Sequence, residues 1–148
     1  MRKSVVVAAT PAQAFEVFTT RVDRWWPKTH GIGTGLVRES VIEPFVGGRW
    51  YANYENDSQV TTGHVLVWEP GSRLVVTWEI DDQWKPDARP QFTSEVEVRF
   101  IAEGASTRVE VEHRNFERMG PGGEKMRNDV DGGWPGLLQL YANEVARP

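Results

Sequence analysis

Cysteine is absent from this chain of 148 residues. That excludes a disulfide scaffold, thiolate metal ligation and a cysteine nucleophile, and it accords with a cytoplasmic location. A basic excess is missing too. The 17 lysines and arginines stand against 21 acidic residues, a formal net charge of −4. No phosphate-binding face is indicated, so nucleic acid is not an expected partner. Long apolar runs are also lacking, and none approaches the ~20 residues of a membrane helix. The run nearest the start, Val5 to Ala9, is broken by Thr10 and Pro11 and is too short for a signal peptide. No membrane association is expected. Chemical signatures are equally sparse. There is no HExxH and no G-x-S-x-G, and Gly120 to Lys125 (GPGGEK) lacks the GK[ST] ending of a phosphate loop. His30, His64 and His113 share no helical or hairpin ligand spacing. Neither a metal nor a cofactor is expected.

What the chain does have is tryptophan, seven of them beside six phenylalanines and three tyrosines. Trp carries the largest contact area of any side chain, so the placement of these seven is the central question. The length fits one domain, residues 1–148.

Val5 to Val7 is β-branched and reads as a strand. Thr10-Pro11-Ala12-Gln13 then opens a helix, with Thr as N-cap, Pro at the first position and Gln three residues after the cap. A second helical turn spans Val22 to Trp26, and Pro27 ends it. Lys28 to Gly35 (KTHGIGTG) has no apolar period and is a loop. Six strands follow, at Leu36 to Ile42, Arg49 to Tyr54, Val60 to Trp68, Leu74 to Ile80, Gln91 to Ile101 and Thr107 to His113. The tight turns between them argue for an antiparallel meander with one wet face, on which Glu95, Glu97, Glu110 and Glu112 pair with Arg99 and Arg108. Met126, Val130, Trp134, Leu137, Leu138, Tyr141 and Val145 then recur at three and four residues, a helical stripe. Gly132, Gly133 and Pro135 predict a kink near Trp134.

This order resembles the helix-grip fold of the START-like (SRPBCC) superfamily. Thr10 to Phe18 followed by Trp25-Trp26 resembles its first helix pair. Phe45-Val46-Gly47-Gly48-Arg49-Trp50, Gly63 to Pro70 and Arg73 to Trp78 resemble its Gly-Gly turn and central hairpin. Thr107 to His113 and Gly133-Trp134 before Leu137-Leu138 complete the set. Together they are similar to the domain named after the activator of the heat shock protein 90 ATPase, in its C-terminal-domain form. The resemblance implies an α+β architecture: a curved antiparallel sheet of about seven strands wrapped around a long C-terminal helix, with two short helices after the first strand. It implies a binding scaffold or, through the family's name, a co-chaperone or stress-response role with a chaperone partner. The superfamily also hosts polyketide cyclases, so fold alone does not choose among these functions.

The residues favour a cavity between helix and sheet for a small apolar or aromatic molecule. Its expected lining is Trp26, His30, Trp50, Tyr54, Trp78, Phe92, His113, Phe116, Trp134 and Leu138. The competing reading is that these rings fill the core themselves. His113 reads either as a pocket hydrogen-bonder and general base or as a half-buried histidine satisfied by backbone, and His64 has no determined face. A cyclase or dehydratase-like activity would use one of the two. Trp25, Trp84 and the loop 81–90 are the candidate surface anchors for a partner protein. A monomer or a homodimer is expected.

Overall fold

The computed structural model describes residues 1–147. Seven strands, β1 (Arg2–Val7), β2 (Val37–Ile42), β3 (Arg49–Tyr54), β4 (Gln59–Glu69), β5 (Arg73–Trp78), β6 (Ser94–Glu103) and β7 (Ser106–Arg114), form one antiparallel sheet. Its order is β1-β7-β6-β5-β4-β3-β2. Only β1 is out of sequence, added beside β7 with Val5 opposite Val109. Helix α1 (Pro11–Phe18) and a 3₁₀ turn (Val22–Arg24) precede β2, and α2 (Gly123–Val145) closes the chain. The expected helix-grip architecture is therefore present.

Local chemistry accounts for each element. At the start of α1, Gln13 N–H donates to Thr10 Oγ1 at 3.2 Å and Thr10 N–H to Gln13 Oε1 at 3.1 Å. This reciprocal cap satisfies two of the orphan donors of a helix start. Along β6 and β7, Val96, Val98, Phe100, Val109 and Val111 face inward in strict alternation and are buried. Helix α2 lays Met126, Val130, Trp134, Leu137, Leu138 and Tyr141 on that face, and its 23 residues span about 34 Å. Tyr141 fixes α2 to α1 by donating from its hydroxyl to Ala14 O at 2.7 Å. Burial without a charged partner pushes its phenol pKa up.

Helix α2 is continuous through Pro135, which lies with Gly132, Gly133 and Gly136 on its exposed side. Two expectations are corrected. The strand expected from Gln91 begins only at Ser94, because Pro90 opens a 3₁₀ turn over Pro90–Phe92. The outer charged face is also less wet than its alternation implies. Glu97 is 4% exposed, enclosed by Arg73, Arg99 and Arg114. Burial raises its pKa, but hydrogen bonds from Arg114 and Arg99 outweigh that and leave it below the ordinary carboxylate value.

Candidate functional site

A cleft with a cavity volume of about 90 Å³, open at its mouth, lies between α2 and the inner face of the sheet. Four tryptophans line it: Trp26 from the segment after the first 3₁₀ turn, Trp78 from the end of β5, Trp84 from the β5–β6 loop, and Trp134 from α2. Ile32, Ile80, Val130 and Leu137 complete the apolar wall, and Thr62, His30 and Asp129 supply the polar groups. The rings meet mostly edge to face. Centroids are 6.1 Å apart for Trp26–Trp134, 6.3 Å for Trp78–Trp134 and 6.3 Å for Trp78–Trp84. The indole N–H of Trp78 is buried and has no acceptor among the described residues. Such an orphan costs about 1–3 kcal/mol, and a core built only for packing gains nothing from it.

Of the expected lining, Trp26, His30, Trp78 and Trp134 reach the cleft. Trp50 stands directly behind it, wedged between Trp26 at 5.1 Å and Trp78 at 5.8 Å. Leu138 is buried on the same face of α2, one residue past the lining position Leu137. Tyr54 is displaced from the expected role. It packs with Val37, Ala52 and Val60 in a small separate core, and its hydroxyl accepts the Gly33 N–H at 2.7 Å. A Cβ at Gly31 would stand 2.4 Å from the Tyr54 hydroxyl oxygen, and one at Gly33 2.7 Å from its ring. Tyr54 therefore fixes the glycine loop that carries His30 and Ile32 to the cleft. Phe92 is corrected too. Once Pro90 delays β6 it lies outside the cleft, 39% exposed, with the Arg89 guanidinium 4.4 Å from its ring centre.

His113 and Phe116 form a layer behind the wall. The imidazole is fully buried, 5.0 Å from the Trp78 ring centre and 4.6 Å from that of Phe116. Trp134 Nε1–H donates to His113 Nδ1 at 3.3 Å, which places the imidazole proton on Nε2, and that N–H donates to Ser94 Oγ at 2.9 Å. Desolvation lowers the His113 pKa to about 3, with the N-terminal ammonium adding a smaller push in the same direction. His113 is thus a neutral, sealed group that orients the Trp134 indole, and no base faces the cleft from it. His64 lies outside the lining as well. Its Nδ1 pairs with the buried Glu79 carboxylate at 2.6 Å, and Thr77 Oγ1–H donates to the same oxygen at 2.5 Å.

The lining residues outside the expected set are Ile32, Thr62, Ile80, Asp129, Val130, Gly133 and Leu137, together with Trp84, which was expected as a surface anchor for a partner protein. Trp84 adopts a left-handed backbone (φ 58°) in a loop pinned to α2. Its Nε1–H donates to Asp129 Oδ2 at 3.0 Å, while Lys125 Nζ donates to Asp129 Oδ2 at 2.8 Å and to Asp82 O at 2.9 Å. The bonds from Lys125 and Trp84 hold the Asp129 pKa below its ordinary value. Asp129 precedes the stripe residue Val130 on α2, but nothing in the sequence indicated where the loop would land. Among the candidate surface anchors, Trp25 is buried, its indole N–H donating to Val17 O at 2.9 Å. Among the described residues no helix is long and apolar enough to cross a membrane.

Comparison with known proteins decides the family. The family model described as "Activator of Hsp90 ATPase homolog 1-like protein" matches residues 8–142. The chain belongs to this family. Among solved structures it is similar to Txn09, described as an anthrahydroquino-gamma-pyrone synthase complexed with SUM. The two share 40% identity over 97% of this chain and 94% of that one, with a TM-score of 0.68. It is also similar to CalC of Micromonospora echinospora, described as a self-sacrificing resistance protein, at 30% identity over 98% and 92% of the two chains with a TM-score of 0.67. The Aha1 dimer of Colwellia psychrerythraea shares the fold at 13% identity, 98% and 94% coverage and a TM-score of 0.66. A search of curated proteins gave no match.

Proposed function

We propose that this member of the family binds a small, flat aromatic molecule in the cleft between α2 and the sheet. The observation that carries the reading is the convergence of Trp26, Trp78, Trp84 and Trp134, from four separate segments, on one open cleft that they do not fill. Mostly apolar walls with a few placed polar groups are the usual composition of small-molecule sites. The 40% identical neighbour, named as an anthrahydroquino-gamma-pyrone synthase, supports a ligand of the aromatic class. The same neighbour favours a second reading, catalysis on the bound molecule. His30 and Asp129 are then the groups in place to move protons, instead of His113 or His64.

The test uses Gly133, which lines the mouth and has open space where a Cβ would stand. Gly133→Leu projects a side chain into the cleft and raises helix propensity by just under about 1 kcal/mol. Calorimetric titration with the neutral probe 2-naphthalenemethanol is expected to show saturable binding to the natural chain and loss of at least about tenfold in affinity in the variant, with the fold at least as stable. Equal binding by both proteins, or binding by neither, overturns the reading.

A further inference from the structure

We propose that Asp129 selects the ligand: the cleft takes aromatic molecules whose polar end donates hydrogen bonds, an ammonium above all, and rejects those ending in a carboxylate. This rests on the binding reading above. Among the described residues lining the cleft, Asp129 is the one acid, and no lysine or arginine joins it. A carboxylic acid ligand would therefore meet a like charge beside four indoles, with no cation in the lining to pair with it. An ammonium meets the reverse. A carboxylate accepts and never donates, and bonds between it and a charged donor are about twice as strong as neutral ones. Tryptophan is moreover the ring type that attracts cations best.

The geometry leaves Asp129 free to do this. Both internal donors, Trp84 Nε1–H and Lys125 Nζ, go to Oδ2, whereas Oδ1 has no hydrogen-bond partner among the described residues. Lys125 approaches from the solvent side with its side chain 54% exposed and does not line the cleft. The Asp129 side chain is 34% exposed, so Lys125 is the more strongly water-screened of the pair. The Asp129 carboxylate is held at Oδ2 by Trp84 and Lys125, so it is oriented before any ligand arrives. Its depressed pKa keeps it ionised throughout the neutral range.

The experiment compares three probes on one aromatic body: 2-naphthylmethylammonium, 2-naphthalenemethanol and 2-naphthoate, titrated calorimetrically at about pH 8, where ordinary imidazoles are neutral. The expected order is ammonium, then alcohol, then carboxylate, with at least about a tenfold difference between the first and last. In Asp129→Asn, whose amide oxygen still accepts from Trp84, the ratio is expected to fall to within about threefold. Equal affinities for the three probes in the natural chain, or an order unchanged in Asp129→Asn, overturn this proposal while leaving the binding site standing. Binding of none of the three overturns the site and this inference together.

Discussion

At the residue scale, His113 shows how the site is supported from behind. Its ring receives the Trp134 N–H and gives its own proton to Ser94, so one neutral imidazole fixes a lining indole from inside the core. The consequence is a pH dependence of known sign. In the unfolded chain the imidazole returns to its ordinary value of 6.5, against about 3 when folded. The unfolded state then binds the extra proton, so the contribution is complete above pH 6.5 and is lost as pH falls toward 3. Its size is at most about 5 kcal/mol. Urea titrations from neutral to acid pH are expected to show stability declining already below pH 6.5, before the ordinary carboxylates titrate. In His113→Gln that early limb should be shallower. An equally steep limb in the variant would assign it to other groups.

At the element scale, the central hairpin depends on an approach only glycine permits. Gly63 lies where β4 slips register against β3, and a Cβ there would stand 1.8 Å from the Thr77 backbone oxygen. Neither side of that contact can yield without moving β5, whose last residue is the lining Trp78. Gly63→Ala is expected to cost about 3 kcal/mol or more, read as a lower urea midpoint. It should also weaken probe binding, because Trp78 shifts with its strand. The glycine loop makes the complementary case. Tyr54→Phe deletes the hydroxyl that holds Gly33 N–H, at a cost of about 1 kcal/mol. Binding should suffer more than stability, since that loop carries His30 and Ile32. Full affinity in this variant would show that the loop is held by packing alone.

At the scale of the whole molecule, the cleft is where the glycine loop, β4, β5, the β5–β6 loop and α2 meet. A ligand there adds contacts to segments already packed together through the aromatic core. Saturation at a hundred times the dissociation constant adds about 2.7 kcal/mol, which for this size corresponds to a rise in Tm of roughly 5–10 °C. Thermal melts with increasing 2-naphthylmethylammonium are expected to rise toward that figure. A flat melt at saturating probe would mean that the molecule binds the unfolded chain equally well.

How much of this was legible follows from where each signal lies along the chain. The capping box at Thr10, the alternation through Val96, Val98 and Phe100, and the three-and-four spacing from Met126 to Tyr141 are local patterns, because strand and helix periods are properties of neighbouring residues. They determined the order of elements and the inward stripe of α2 that carries Trp134. Phe92 was misplaced because Pro90 shortened a strand whose alternation looked continuous. Tyr54 was misplaced because its partner is a glycine loop 21 residues away. Only the tertiary structure decided that Trp84 reaches Asp129 across 45 residues and that His113 is sealed behind the wall. Those outcomes depend on where a loop lands and on how much water packing excludes, and neither leaves a period in the sequence.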